Sequence, residues 1–226
     1  RAMNQILSKH IAAGYCLVYI DDIIIFSKSV EDHISQLDAV LSTLREHNLF
    51  CQLPKCTWAQ KRIKYLGHIV DGTGVLPDPD KVKALDHWEP PSVDLTHAPS
   101  QAEVSTIQQR KVHECRRFLG FMNYFARFIP RYAELAMPLY EQTKNQSVPW
   151  TAQCTASWNQ LKSALRSATL MHHPIFTKPF HVYMDASIGA IGGVLMQEHD
   201  GHKCPIAFIA RKLSSAERYY ITMEQE

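Results

Sequence analysis

The hydrophobic pattern of the first 50 residues changes from strand to helix character. Two short runs of β-branched and aromatic residues within 15–27 flank Asp21 and Asp22, residue types that tolerate tight turns. They predict a β-hairpin that carries both carboxylates at its tip. A Ser29-x-x-Asp32 sequence typical of a capping box follows, and apolar residues then recur at three- and four-residue spacing. This spacing predicts an amphipathic helix that packs on the sheet.

Strand character returns between Leu49 and Val75. The run IKYLGHIV leads into turn residues at 71–74 and predicts a second hairpin. Asp78 and Pro79 then supply an N-cap and a first-turn proline, which predict a short helix.

The middle of the chain is predicted to be a loop followed by helices. Residues 92–110 are rich in small and polar residues without strong periodicity, which predicts a loop or insertion. Helical spacing resumes beyond it, Pro130 divides this run into two helices, and a third helix follows Thr151. The run contains a stripe of aromatic residues more typical of a core than of a base-stacking platform. The stripe consists of Phe118, Phe121, Phe125 and Phe128.

Strand periodicity resumes near residue 180. The runs FHVYMDA, GAIGGVLMQ and PIAFIAR are separated by turn residues at 187–189 and 199–201. They predict a three-stranded meander that opens another domain. The pattern of the whole chain therefore predicts an α+β fold.

Composition and charge are ordinary for a globular protein. The 226 residues are 46% hydrophobic and 20% charged, which excludes a disordered or coiled-coil chain. The formal net charge of +2 does not by itself indicate a nucleic-acid or membrane partner. The longest apolar run is too short to span a bilayer, so no membrane partner is predicted. Six cysteines without a CxxC pair indicate the reduced thiols of an intracellular protein. No address signal distinguishes the cytoplasm from the nucleus, so the compartment stays open.

The sequence Tyr19-Ile20-Asp21-Asp22 is the first candidate for chemistry. Adjacent carboxylates repel each other, and a divalent cation relieves this repulsion. Mg²⁺ takes one or two carboxylates together with water and substrate phosphates, the arrangement that two-metal phosphoryl transfer uses. A solvated turn without a ligand is the alternative that the dipeptide alone leaves open.

A local excess of basic residues lies between residues 110 and 131. Six cations and a single acid, Glu114, occur there on helices whose other face is aromatic. Such a surface is expected where a protein follows the phosphates of a nucleic acid. The cations are Arg110, Lys111, Arg116, Arg117, Arg127 and Arg131.

Taken in order, these segments resemble the reverse transcriptase of the Ty3/gypsy class of long-terminal-repeat retrotransposons over nearly the whole chain. The resemblance rests on LVYIDDIIIFS, CQLPKCTW, IKYLGHIVDGTGVLPDPDKV, FLGFMNYFARFIP and PFHVYMDAS. It implies a partial polymerase palm at 1–91, the loop or insertion at 92–110 and a helical thumb or connection at 111–170. The N-terminal part of an RNase H-like domain, a truncated mixed sheet, is implied at 171–226.

The resemblance also implies two metal-dependent catalytic sites. Asp21 and Asp22 match the polymerase aspartates that hold two Mg²⁺ ions, with Mn²⁺ as an alternative ion. Asp185 matches the first metal-binding aspartate of the RNase H domain. Glu226 matches the glutamate of its helix, and Glu224 is a nearby alternative.

The implied partners are an RNA/DNA template–primer duplex, deoxynucleoside triphosphates and the remainder of the Pol polyprotein. Tyr19 is implied to lie near the primer terminus, and the segment Tyr65-Leu66-Gly67-His68 matches the hairpin that grips the primer strand in the family. Lys55 matches a lysine-containing segment of the family, with an ordinary exposed lysine as the alternative. The residues implied to bind nucleic acid are Tyr19, Lys55, Leu66, Gly67, His68, Arg116, Arg117 and Arg127.

Three functions follow from the sequence. The first is RNA-directed DNA polymerisation with an associated RNase H activity, and the second is nucleic-acid binding by a catalytically incomplete remnant. The third, a separate RNase H-type nuclease, is less supported because a sheet that ends at Glu226 exposes an edge. Both chain ends indicate cuts through a longer protein that would supply the missing carboxylates, so the isolated chain is expected to be inactive.

Overall fold

The computed structural model describes residues 2–91, 100–144, 147–187, 189–214 and 217. The chain divides into two compact units, residues 1–60 and 61–226. Both contain helices and antiparallel strands, so the predicted α+β class is confirmed. Within the described ranges, no helix combines the length and the apolar character that crossing a bilayer requires.

The first unit packs a β-hairpin against helices. The N-cap half of the predicted capping box is present, because the Ser29 hydroxyl accepts a hydrogen bond of 3.1 Å from the Asp32 amide. Its elements are α1 (Ala2–Ile6), α2 (Ser8–Ala12), β1 (Cys16–Tyr19), β2 (Asp22–Ile25), α3 (Val30–Glu46) and a 3-10 turn at Leu53–Lys55. Its core consists of Leu7, Cys16, Val40 and Leu44.

The second unit contains two antiparallel sheets and three long helices among its described residues. The sheets have the strand orders β3-β4-β5-β6 and β7-β8-β9. The strands are β3 (Arg62–Tyr65), β4 (His68–Asp71), β5 (Gly74–Pro77), β6 (Met171–His172), β7 (Phe180–Ala186), β8 (Ala190–His199) and β9 (His202–Lys212). The helices are α4 (Pro79–Lys83), α5 (Gln101–Tyr124), α6 (Tyr132–Lys144) and α7 (Ala152–Arg166), with a 3-10 turn at Ala126–Phe128.

The aromatic stripe, which extends from α5 into the following 3-10 turn, contributes to the core of the second unit, as its spacing predicts. Phe118 is fully buried and stacks on Trp158, with the ring centroids 3.7 Å apart. The backbone carbonyl of Trp88 accepts hydrogen bonds from the Trp158 indole (3.1 Å) and from the Lys162 ammonium (2.9 Å). These bonds attach the segment after α4 to α7.

The loop predicted at 92–110 is wrong from Gln101 onward, because α5 begins there. The Ser100 hydroxyl caps this helix by accepting a bond from the Glu103 amide (3.3 Å). Lys111 and Val112 are buried by packing that composition does not reveal. Residues 92–99 lie outside the described residues.

The run IKYLGHIV also differs from its prediction. It is divided into β3 and β4 by a two-residue turn at Leu66 and Gly67, both with positive φ (46° and 70°). The turn predicted at 71–74 joins β4 to β5, so the region is a three-stranded meander rather than one hairpin.

Candidate functional site

The first candidate site is the β1–β2 hairpin. Tyr19 pairs with Asp22, so the turn consists of Ile20 and Asp21, and Asp22 is the first residue of β2. The sequence had predicted both aspartates within the turn. Ile20 has φ 55°, and a left-handed conformation is costly for a β-branched residue. Such strain is concentrated at functional sites, where the surrounding structure maintains it.

The two carboxylates of this hairpin are available to a ligand. Asp21 and Asp22 are exposed, and no described residue forms a hydrogen bond or ion pair with either carboxylate. Two aspartates of the second unit behave differently. Asp78 caps α4, and Asp71 accepts bonds from the Thr73 and Gly74 amides. The hard oxygen donors of the hairpin fit Mg²⁺, which takes its other ligands from water and phosphates.

Asp185, the second candidate metal ligand, lies near the end of β7, opposite Gly192 of β8. Its side chain is exposed and lines a shallow cavity together with Arg131 and Glu134. Arg131 forms two hydrogen bonds with Glu134, at 2.8 and 2.7 Å. Glu224 and Glu226 lie outside the described residues. In the part of the chain that the structure does describe, no three His, Cys, Asp or Glu side chains form a cluster that could hold a metal ion.

The third candidate site is the Leu66–Gly67 turn of the second unit. The Leu66 carbonyl accepts hydrogen bonds from His68 Nδ1 (2.8 Å) and from the Tyr124 hydroxyl. The Gly67 carbonyl accepts a bond of 2.9 Å from the Asp78 amide. The turn is therefore attached both to the start of α4 and to the end of α5.

His68 lies against aromatic rings of α5 and of the 3-10 turn that follows it. Its ring centroid is 5.2 to 5.5 Å from those of Tyr124, Phe125 and Phe128. Burial lowers the pKa of His68, the hydrogen bond to Leu66 opposes this effect, and the positive charge of Arg127 adds to it. The imidazole is therefore neutral at pH 7, and its Nδ1–H donates to the turn.

The basic segment divides into residues that are available to a phosphate and residues that are not. Lys111 does not belong to this surface, because it is 2% exposed and its ammonium donates to the Val148 carbonyl. Arg117 forms an ion pair of 3.1 Å with Glu114 and lies over the Trp88 ring.

Of the three arginines implied to bind nucleic acid, Arg116 and Arg127 are more available than Arg117. Arg116 is exposed and donates to the Thr143 carbonyl at 3.2 Å. Arg127 is exposed and lies over the Phe128 ring, 5.6 Å from its centroid. In the first unit, Tyr19 is 55% exposed, and Lys55 is exposed at the end of the 3-10 turn.

Two regions of the sequence match known families. Residues 1–70 match the family "Reverse transcriptase (RNA-dependent DNA polymerase)", and residues 150–226 match the "RNase H-like domain found in reverse transcriptase". The chain belongs to the reverse transcriptase family. The second match begins ahead of the boundary predicted at 171 and includes α7.

The relatives of this reverse transcriptase sequence are retrotransposon polyproteins. The Retrovirus-related Pol polyprotein from transposon opus of Drosophila melanogaster is 38% identical over the whole of this chain and 22% of its own length. The Pol polyprotein from transposon gypsy of the same fly is 31% identical, over all of this chain and 21% of its own length. The transposon Tf2-3 polyprotein of Schizosaccharomyces pombe is 30% identical over 94% of this chain and 15% of its own. The predicted resemblance to the Ty3/gypsy class is thereby confirmed, and the chain spans between 15 and 22% of the length of these relatives.

A solved reverse transcriptase structure shows the same fold. The foamy viral protease-reverse transcriptase in complex with an RNA/DNA hybrid superposes with a TM-score of 0.76 and 21% identity. The match covers 99% of this chain and 28% of the viral chain. A second structure of this viral protein, in complex with double-stranded DNA, gives a TM-score of 0.72 and 20% identity over 99% of this chain.

Two features of this reverse transcriptase chain were not predicted from the sequence. Tyr124 contacts the Leu66–Gly67 turn although the two are 58 residues apart. A tyrosine beside the buried stripe, at the end of the helix, is the signal that could have indicated a polar contact there. No comparable signal in the sequence indicates the Arg131–Glu134 pair beside Asp185. These residues line a cavity together, and that cavity depends on how α6 packs on β8 and β9.

Proposed function

We propose that the first unit supplies part of the polymerase centre of an RNA-directed DNA polymerase, with Asp21 and Asp22 as its metal ligands. The observation that carries this proposal is that the carboxylates of Asp21 and Asp22 are exposed and form no hydrogen bond or ion pair with a described residue. They also lie on a hairpin whose turn is strained at Ile20. Two other aspartates next to turns, Asp71 and Asp78, are instead engaged in backbone hydrogen bonds and ion pairs.

The residues around the carboxylates have supporting roles in this proposal. Mg²⁺ or Mn²⁺, when bound, would activate the primer 3′-hydroxyl and stabilise the leaving pyrophosphate. Asp21 and Asp22 hold the ions, and Tyr19 lies beside them near the primer terminus. Lys55 approaches a phosphate from the same unit. The deoxynucleoside triphosphate supplies phosphate oxygens as further ligands.

The second unit holds the template–primer duplex in this proposal. Leu66, Gly67 and His68 hold the primer strand, and Arg116, Arg117 and Arg127 follow phosphates along the helical part. The foamy viral structures, which contain an RNA/DNA hybrid or double-stranded DNA, support a duplex as the ligand. The remainder of a Pol polyprotein is the other proposed partner.

An RNase H activity is proposed for the C-terminal part. Asp185, exposed at the end of β7, would be one of its metal ligands. Glu226, or Glu224 in its place, would be another. Asp185→Asn is expected to abolish cleavage of the RNA strand of a hybrid and to leave primer extension unchanged.

The experiment that tests the polymerase proposal is primer extension by a polymerase-active protein that contains this chain. Asp21→Asn or Asp22→Asn is expected to lower Mg²⁺-dependent extension by on the order of 10²–10³-fold, because each removes a group that stabilises transition-state charge. Asp38→Asn is the matched control, since it neutralises an exposed aspartate on α3 of the same unit. Extension by Asp21→Asn at the rate of the control would refute the proposal.

Nucleic-acid binding without catalysis is the second candidate function. The exposed Arg116 of α5 and Arg127 of the following 3-10 turn favour it, since neither has an ion-pair partner among the described residues. Binding of a template–primer duplex by a protein that extends no primer would distinguish it from the first.

A further inference from the structure

The Leu66–Gly67 turn is held from outside its own hairpin. Two donors converge on the Leu66 carbonyl oxygen, namely His68 Nδ1 at 2.8 Å and the Tyr124 hydroxyl. The Tyr124 hydroxyl is also 3.5 Å from His68 Nδ1. The bond from His68 is local to the hairpin, whereas Tyr124 reaches the turn from the last residue of α5.

The conformation of the turn explains why an external contact matters. Leu66 has φ 46°, a left-handed conformation that is unfavourable for a residue with a Cβ. Such a conformation persists only where its surroundings favour it over alternatives. The direction of the Leu66 carbonyl depends on this conformation. The hydrogen bond from the Tyr124 hydroxyl to this carbonyl therefore stabilises the observed turn relative to other turn conformations.

The ring and the hydroxyl of Tyr124 make separable contributions. The ring lies against the turn, because a Cβ added at Gly67 would be 3.7 Å from Tyr124 Cε1. The same ring packs on Phe125 at a centroid distance of 4.9 Å and is 51% exposed. Removing only the hydroxyl therefore leaves the packing in place and isolates the hydrogen bond to Leu66.

We propose that Tyr124 is a positioning residue for the primer strand, acting through the Leu66 carbonyl. Its hydroxyl fixes the turn relative to α5, the helix that also carries Arg116. The contacts of the turn with the primer strand and the contacts of the helix with phosphates are then held in a fixed position relative to each other. This role rests on the proposed polymerase function, whereas the contact between Tyr124 and the turn does not.

The contact is tested without reference to activity by amide hydrogen exchange. Tyr124→Phe is expected to accelerate exchange at Gly67 and His68 by about 5-fold, since a net hydrogen bond contributes roughly 1 kcal/mol. Tyr183→Phe is the matched control, because it removes the hydroxyl of another half-exposed tyrosine, which bonds Lys203 in the other sheet. Unchanged exchange at the turn in Tyr124→Phe would overturn the proposal.

The positioning role is tested by primer extension with the same two variants in a polymerase-active protein that contains this chain. Tyr124→Phe is expected to raise the Kd for the template–primer duplex about 5-fold and to leave kcat at saturating duplex unchanged. A merely destabilised protein would lose active molecules, which lowers kcat and leaves Kd unchanged. Faster exchange with an unaltered Kd would overturn the positioning role. If Asp21→Asn retained activity, the polymerase proposal would fail, and hydrogen exchange alone would still decide whether Tyr124 fixes the turn.

Discussion

At the scale of single residues, the protonation state of the His68 imidazole is linked to the conformation of the Leu66–Gly67 turn. Its neutral ring donates to the Leu66 carbonyl through Nδ1, and its Nε2 atom is buried without a hydrogen-bond partner among the described residues. Protonation would place a charge between aromatic rings and beside Arg127, the cationic neighbour that already lowers its pKa. A buried charge without a partner is costly, so the folded state disfavours the imidazolium.

The pH dependence of stability follows from this depressed pKa. The pKa of His68 is about 6.5 in the unfolded chain and lower in the folded protein, so between these two values the unfolded state binds more protons. The free energy of unfolding therefore decreases as the pH falls below about 6.5. Urea unfolding at pH 7.5 and 5.5 is expected to show a smaller loss for His68→Gln than for the native protein. His172 also has a lowered pKa, so part of the loss persists in the variant. His87→Gln, at an exposed position, is the control, and an equal loss in all three proteins would contradict the prediction.

At the scale of elements, the pairing of β5 with β6 joins residues that are nearly one hundred positions apart. Gly74 pairs with His172 and Val75 pairs with Met171. A Cβ added at Gly74 would overlap the Met171 carbonyl group, 2.9 Å from its carbon atom. Backbone leaves no room there for a side chain, so the close approach of the two strands requires glycine.

Gly74→Ala is therefore expected to lower the free energy of unfolding of the second unit by about 1–3 kcal/mol, the range for overpacked sites. The control is Gly72→Ala in the same turn, because an added Cβ there meets no atom within 4 Å. This variant is expected to stay within about 0.5 kcal/mol of the native protein. Denaturant unfolding followed by circular dichroism measures both, and similar values for the two variants would show that β6 does not approach β5 this closely.

These elements also show how far local sequence determines the fold. The caps at Ser29 and Asp78 and the strands after 180 are correctly predicted, because each depends on residues within a few positions. The start of α5 was missed because its first turns are polar. Lys111 was assigned to a phosphate surface because its partner, the Val148 carbonyl, lies 37 residues away.

At the scale of the whole molecule, the proposed affinity for nucleic acid depends on which cations are available rather than on the net charge of +2. A phosphate contact releases counterions, so its loss lowers the slope of log affinity against log salt by about one. Arg116 and Arg127 are exposed and lack a carboxylate partner among the described residues. The charge of Arg117 is offset by Glu114, 3.1 Å away.

The three arginines are therefore expected to differ in a duplex-binding titration at 50 to 200 mM salt. Arg116→Ala and Arg127→Ala should each lower the slope by about one, since each removes one phosphate contact. Arg117→Ala should lower it by less, because Glu114 already offsets part of the Arg117 charge in the native protein and weakens its phosphate contact. Lys111→Met is the control, since the buried ammonium contacts the Val148 carbonyl and not solvent. Equal slopes for Arg116→Ala and Lys111→Met, in proteins shown to be folded, would mean that this helical surface does not contact the phosphates.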